Sequence, residues 1–325
     1  MHDIHDHDHS DSHEHDHEHH GHDHHAHGHD HHEHDCHHEE HGHHGHHAHG
    51  RGHEHGHGHS HDHHHGHDHG RHHGHGHGHS LAGERVLVLR PYTGISGDIM
   101  VAGLARMLGL DQAAIDAHIA SIGLDALAGS LTVAPHSLNE VGGWQCTVTL
   151  PHEHSHRTLA DITAIIDASS LTGGAKKLAR DAFALIAEAE GAVHGKEPDT
   201  VSFHEVGALD SILDVCLAAA LFDALAPDLF VCGPLPVCDG TVRCAHGKLP
   251  VPAPAVMRLL RGVPVHGIPT TGETLTPTGV ALLKAFGASF GTWPPMVMET
   301  EAIVYGTRVF ENVANGAIFA YGVGA

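Results

Sequence analysis

The sequence predicts a mixed α/β domain, with several helices packed on a sheet, preceded by a disordered histidine-rich tail. Residues 1–80 hold 40 of the 49 histidines and almost no aliphatic side chains, which leaves residues 81–325 to build a core. A β-type run at 85–89 passes through a glycine turn into a helical pattern at 99–108, and strand and helix patterns alternate again downstream. The segment 215–222 has no polar side chain except one thiol, so we expect a buried helix there.

The charge balance argues against a nucleic-acid binder. The formal net charge is −24, of which −14 falls in residues 1–80 and −10 in the rest. Neither part has the basic stripe that nucleic acid requires. The longest apolar run is shorter than the roughly 20 residues of a membrane helix, so we expect no membrane association.

The cysteines and the first residues favour the cytoplasm. Six cysteines occur at positions 36, 146, 216, 232, 238 and 244. The start, Met1-His2-Asp3, is charged and does not resemble a signal peptide. We therefore expect a cytoplasmic protein with reduced thiols.

The tail, residues 1–80, alternates histidine with Asp, Glu and Gly. It cannot bury enough apolar surface to offset its chain entropy, so it should be disordered. Imidazole is a common ligand of borderline divalent metals, and neighbouring carboxylates offset the charge of the cation. We expect the tail to bind several Ni, Zn, Co or Cu ions, and a solubilising or proton-buffering tail is the alternative.

The turn at 93–98 is a candidate phosphate site. It links the first strand to the first helix, where backbone N–H groups can hold an anion. Its candidate contacts are Gly94, Ser96, Gly97 and Asp98. The turn matches neither the dinucleotide fingerprint nor the P-loop, and Ser96 or Asp98 can instead serve as helix caps.

Further elements are expected along the chain. Three histidines, His152, His154 and His156, follow a β-type run at 145–150. If that strand continues, all three point to one face and form a metal site, whereas on a loop they are a solvated cluster. Other predicted elements are strands at 131–134, 229–232, 296–299 and 317–321 and helices at 111–121, 159–168, 174–192 and 254–260.

The segment 203–214 is the predicted chemical centre. It places His204 and Glu205 beside a glycine and then enters the buried helix with Asp210 and Asp214 on one face. Burying ionised carboxylates without a partner is costly, so a cation or a strong hydrogen-bond donor should face them. Alternatively, both acids lie in the first turns, where the helix dipole stabilises them.

Two later stretches add candidates. Cys244 and His246 lie two residues apart, within reach of one soft metal, although an isolated cysteine is usually a small core residue. Thr276 and Pro277 predict a helix start, with Thr276 as N-cap. Thr276 and Thr278 are candidate cofactor contacts there.

The order of these motifs resembles the LarC family, over about residues 86–323. That family comprises nickel-insertion proteins for the nickel-pincer nucleotide cofactor of lactate racemase and related 2-hydroxy-acid racemases and epimerases. The matching segments are Gly94-Ile95-Ser96-Gly97-Asp98, the HxHxH cluster, Glu188-Ala189-Glu190 with Val193-His194-Gly195, Phe203 to Ala208 with Asp210-Ser211 and Asp214, Gly240-Thr241-Val242 through Cys244-Ala245-His246-Gly247 to Leu249-Pro250-Val251-Pro252-Ala253-Pro254, and Thr276-Pro277-Thr278-Gly279.

The resemblance implies a lyase that places nickel into pyridinium-3,5-bisthiocarboxylic acid mononucleotide, driven by CTP hydrolysis with Mn or Mg. We hypothesise that the mononucleotide phosphate rests on the turn at 94–98. Catalysis is assigned to His204, Glu205 and Asp210. Metal ligands are expected among His152, His154, His156, His204, Asp210, Asp214, Cys244 and His246.

Two features differ from the family pattern. Leu89-Arg90 stands where the family has an aromatic residue followed by Asp, so a cation replaces a carboxylate. Family members usually continue into a second, nucleotide-associated domain, whereas this sequence ends at Ala325. We expect that domain to be absent here. Either a separate polypeptide supplies it, or the chain is a divergent copy that stores or delivers nickel without catalysis. The expected recipient of the cofactor is a lactate racemase-type apoenzyme.

Two other classes of function are open from the residues. One is a histidine-rich nickel store or metallochaperone without catalytic activity. The other is a metal-dependent hydrolase using His204 and Asp210, although no H-E-x-x-H or comparable signature is present.

Overall fold

The computed structural model describes residues 80–151, 157–203, 206–244, 247–310 and 313–325, so most of the predicted tail lies outside the described residues. The strands are β1 Arg85–Pro91, β2 Leu131–Leu138, β3 Val141–Val148, β4 Arg157–Thr158, β5 Ser202–Phe203, β6 Leu229–Cys232, β7 Leu235–Asp239, β8 Thr241–Cys244, β9 Gly247–Pro250, β10 Val265–Thr271, β11 Ser289–Phe290, β12 Met296–Tyr305 and β13 Gly316–Gly324. The α-helices are α1 Gly97–Met107, α2 Gln112–Ala120, α3 Leu159–Ala168, α4 Gly173–His194, α5 Leu209–Leu225, α6 Pro254–Leu259 and α7 Pro277–Ala285.

Within the described residues, seven strands form one mixed sheet in the order β11-β6-β1-β13-β12-β3-β2. β1 is parallel to β6 and antiparallel to β13. β12 is antiparallel to β13 and parallel to β3. This sheet, with helices packed on it, confirms the predicted mixed α/β class.

β1 lies inside the sheet and is buried on both faces. Leu87 and Leu89 belong to the large core beneath the helices, whereas Val86 and Val88 join a smaller cluster on the opposite face. All four side chains are fully buried. A strand covered on both faces needs a continuous apolar run, which is the pattern that predicted it.

The helices are stacked over one face of the sheet. α1 contacts β3, β12 and β13 directly, α5 packs on α1, and α4 packs on α5. α1 lies close to the sheet at Gly103, where a Cβ would be 2.3 Å from the Phe319 ring. Residues 215–222 of α5 are all buried, which confirms the buried helix.

The predicted helix starts are confirmed in part. Thr276 caps α7 by accepting a hydrogen bond of 3.1 Å from the Gly279 N–H, and Pro277 is the first helical residue. Ser96 holds the N-cap position of α1, but its side chain makes no capping bond and its hydroxyl donates to the Asp98 carboxylate instead. No helix among the described residues is long and apolar enough to cross a membrane.

The structure differs from the predicted strands in several places. β3 ends at Val148, so residues 149–151 do not carry a strand towards positions 152–156, which lie outside the described residues. Seven strands were not predicted: β4, β5, β7, β8, β9, β10 and β11. Three of these, β4, β5 and β11, have only two residues, and prolines or glycines interrupt the period-two pattern in β7, β9 and β10.

The close contact at Gly103 predicts the effect of a single methyl group. Gly103→Ala should lower the free energy of unfolding by about 1–3 kcal/mol, since the methyl would overlap the Phe319 ring. Gly173→Ala is the control, because that helical glycine has nothing within 4 Å of a Cβ, and it should stay within about 1 kcal/mol of the parent. Urea unfolding measures both variants, and equal stabilities would contradict the packing account.

Candidate active site

A cavity of about 640 Å³ opens where three helix N-termini meet. The first residues of α1, α5 and α7 all contribute to its wall. Each helix N-terminus presents unpaired backbone N–H groups and a partial positive charge. Three helix N-termini around one cavity favour the binding of an anion such as phosphate there.

Direct pairing of two loops holds α1 and α7 together. The Ile95 N–H donates to the Thr274 carbonyl at 3.1 Å, and the Thr276 N–H donates to the Ile95 carbonyl at 3.2 Å. A Cβ on Gly94 would lie 1.8 Å from the Thr274 carbonyl oxygen, and one on Gly279 would lie 2.6 Å from that of Ile95. Gly94 therefore permits the loops to approach and does not line the cavity.

Asp214 is pressed against the start of α1. A Cβ on Gly97 would lie 2.3 Å from the Asp214 Oδ2, so only glycine leaves room for this carboxylate. Its Oδ1 is buried and has no hydrogen-bond partner, while the residue also lines the cavity. Burial, followed by the charges of Asp98 and Asp210, raises the pKa of Asp214 well above its ordinary value.

Asp98 is better supplied with hydrogen bonds. It accepts from the Ser96 hydroxyl and from the backbone N–H groups of Ile99 and Thr307. Burial nevertheless outweighs these bonds and raises the pKa of Asp98. Asp98 and Asp214 therefore form an acidic pair in which a divalent cation would relieve both the burial cost and the repulsion.

Asp210 lies in a different environment although it is only one turn away. It is exposed in the first turn of α5, where its Oδ1 accepts from the Ser211 N–H at 2.7 Å. One alternative placed both acids in the first turns of the helix, and Asp210 does lie there. Asp214 lies one turn further along, and its buried oxygen lacks a donor.

The cavity wall also contains a cation, Arg308, that the sequence did not predict for the site. Arg308 follows β12, and its Nη1 lies 3.4 Å from the Glu273 Oε2. The Asn315 side-chain amide donates to the Arg308 carbonyl at 2.8 Å. A glycine just after a long strand, Gly306, marked a turn in the sequence, but no pattern showed that the turn faces the helix ends.

Seven of the predicted site residues line this cavity: Ser96, Gly97, Asp98, Asp210, Asp214, Thr276 and Thr278. Other candidates lie outside the described residues: His152, His154, His156, His204, Glu205, His246 and the side chain of Cys244. Val206, directly after two of them, lines the cavity. The roles assigned to all these residues stay predictions.

Cys146 is a further residue of the wall that was not predicted for the site. It belongs to β3 and is fully buried. Burial and the charges of Asp214 and Asp98 raise the pKa of its thiol, so the free thiol is neutral near pH 7.

In the described part of the chain, no three His, Cys, Asp or Glu side chains converge closely enough to hold a metal ion. The described residues alone therefore do not complete a metal site around the Asp98–Asp214 pair. The site therefore combines helix N-termini, which can bind an anion, with carboxylates, which can bind a cation. A site of this class can hold a phosphate-bearing molecule next to a divalent metal.

The chain belongs to the nickel insertion protein family, whose model matches residues 87–319. A relative from Geotalea daltonii, named provisionally for nickel insertion, is 42% identical over 231 residues, which are 71% of this chain and 59% of the relative. A relative from Acetivibrio thermocellus, named pyridinium-3,5-bisthiocarboxylic acid mononucleotide nickel insertion protein, is 37% identical over 233 residues, 69% of this chain and 57% of the relative. No solved structure matches the chain.

The family match confirms the predicted resemblance. It covers the strand, turn and helix that begin the fold and extends to the last strand, β13. The chain nevertheless spans somewhat less than three fifths of the lengths of these two relatives.

The raised pKa of Asp214 predicts a pH-dependent stability. Because ionising this buried carboxyl group is unfavourable in the folded state, stability should fall as pH rises from the ordinary carboxyl pKa towards the raised one. Asp214→Asn should therefore stabilise the metal-free protein at neutral pH, and its advantage should shrink as the pH is lowered. Thermal unfolding across a pH series measures this, and a destabilised variant at neutral pH would contradict it.

Asp161→Asn is the matched control. Hydrogen bonds from the Thr158 backbone and side chain lower the pKa of Asp161 at the start of α3, so the sign is reversed. This variant should be less stable than the parent at neutral pH, and its deficit should shrink as the pH is lowered through the ordinary carboxyl range.

Proposed function

We propose that this chain inserts nickel into pyridinium-3,5-bisthiocarboxylic acid mononucleotide. The observation that carries the proposal is the meeting of three helix N-termini with the Asp98–Asp214 pair around one cavity. The helix ends suit the mononucleotide phosphate, and the carboxylates suit an incoming nickel ion. The identity of the acceptor comes from the name of the Acetivibrio thermocellus relative.

The carboxylates among the described residues of the cavity fit a transfer site. A protein that inserts a metal must release it, and carboxylates hold nickel less tightly than the thiocarboxylate sulfurs of the acceptor. Transfer from Asp98 and Asp214 to the acceptor is then favourable.

Metallation of the ring carbon also requires a base. The C–H bond breaks, its electron pair forms the Ni–C bond, and the proton must be taken up. Asp214 is the base we assign among the described residues, because its carboxylate lines the cavity and is released from nickel when the acceptor sulfurs take up the ion. Asp210, which is exposed at the same wall, can pass the proton to solvent. His204 and Glu205 remain proposed catalytic residues.

The remaining parts of the reaction rest on the resemblance. We propose that CTP and its Mn or Mg ion act through the portion of the relatives that this chain does not span. The reaction would be of the lyase class. A lactate racemase-type apoenzyme would then receive the finished cofactor.

Asp214→Asn should lower nickel insertion at least about 100-fold, because it removes both a nickel ligand and the assigned base. The assay combines the chain, nickel, the acceptor, CTP, Mn or Mg and the missing portion of a relative, and measures metallated product by mass spectrometry. Asp181→Asn is the control, since it changes only an exposed ion pair with Lys177. If both variants insert nickel at the parent rate, the cavity is not the insertion site.

Removal of residues 1–80 separates insertion from storage. The truncated chain should bind far less nickel, because 40 of the 49 histidines are gone. At saturating nickel it should keep the insertion rate of the full chain, measured in the same assay. Loss of insertion at saturating nickel would contradict an insertase whose site lies in the folded part.

A further inference from the structure

A second cavity, of about 560 Å³, lies at the carboxyl ends of three neighbouring strands. β1, β6 and β11 run parallel to one another, and the cavity is lined by Arg90 in β1, Gly233 just after β6 and Gly291 just after β11. In α/β sheets, ligands bind preferentially outside the carboxyl ends of parallel strands. This cavity shares no lining residue with the candidate active site.

The wall of the second cavity contains an incompletely paired guanidinium. The Arg90 Nη1 donates to the Gly291 carbonyl at 2.7 Å, while its Nη2 is buried and has no hydrogen-bond partner. None of the ion pairs in the described part of the chain includes Arg90. Arg90 lines the cavity without an ionic partner among the described residues, so an anion in the cavity would supply its counter-charge.

The rest of the wall is flat and largely apolar. The Arg90 guanidinium carbon lies 5.1 Å from the centroid of the Trp293 ring, and that tryptophan remains 44% exposed. Phe290, Pro234 and Pro264 line the cavity as well. Such surfaces favour an aromatic ring, which can stack on them while a charged substituent faces the arginine.

We propose that this cavity binds a small aromatic oxyanion, a molecule with one ring and a carboxylate or phosphate group. The ring lies against Trp293 and Phe290, and the oxyanion pairs with Arg90. The site is separate from nickel insertion, so its failure would leave the proposed function untouched.

The tryptophans provide a reporter for this site. The chain has two, and the other, Trp144, lies outside the cavity with the Arg106 guanidinium carbon 3.8 Å from its ring centroid. Trp144→Phe therefore leaves Trp293 as the only tryptophan. Its fluorescence is titrated with benzoate and phenyl phosphate, with benzamide as the neutral ring and with acetate and inorganic phosphate as oxyanions that lack one.

Benzoate or phenyl phosphate should cause a saturable change, and the tighter of the two shows which oxyanion the site prefers. Benzamide, acetate and inorganic phosphate should each bind at least about tenfold more weakly. No saturable change with either aromatic oxyanion, or binding of benzamide as tight as that of benzoate, would overturn the proposal.

Substitution of Arg90 completes the test in the Trp144→Phe background. Arg90→Gln should weaken binding at least about tenfold, whereas Arg90→Lys, which keeps the charge, should weaken it less. Arg106→Gln is the control, because Arg106 lies over the aromatic ring at position 144 and not at the cavity, and it should bind like its parent. Thermal unfolding verifies that each variant is folded, and unchanged binding in a folded Arg90→Gln protein would refute the site.

Discussion

The contact between Asp214 and Gly97 is the constraint on which the arrangement of the site depends. It brings an apolar helix, α5, against the start of α1 and buries a carboxylate oxygen without a donor. The pairing of the loop at Ile95 with Thr274 then adds the start of α7. These two close approaches, each permitted by a glycine, direct three helix N-termini at one cavity.

The cavity combines groups of opposite charge, which suits the binding of a cation together with an anion. Three helix ends and Arg308 favour an anion, whereas Asp98 and Asp214 favour a cation. In the metal-free protein, part of the unfavourable burial of Asp214 is relieved by protonation, as its raised pKa indicates. A nickel ion would pair with the two carboxylates, and a phosphate-bearing acceptor would pair with the helix ends and Arg308.

The sequence predicted much of the fold because its strongest patterns are local. The strand at β1, the helices and the cap at Thr276 follow from apolar spacing and capping chemistry. The sequence also identified seven residues that line the cavity. It could not distinguish exposed Asp210 from Asp214, whose Oδ1 is buried, because that difference depends on the packing of α1. The sequence also did not predict that Arg308 lies at the site or that Gly94 permits the close approach of two loops. Both features depend on contacts between segments that are distant in the chain.

The most direct test of the central claim is the position of nickel when it meets its acceptor. Anomalous diffraction at the nickel absorption edge, on crystals of the chain without residues 1–80 soaked with nickel and the acceptor, locates the ion. The account predicts a nickel peak in the cavity at the starts of α1, α5 and α7, within ligand distance of Asp214 and of acceptor sulfur, and its loss in Asp214→Asn. Nickel bound only elsewhere, or an unchanged peak in that variant, would contradict it.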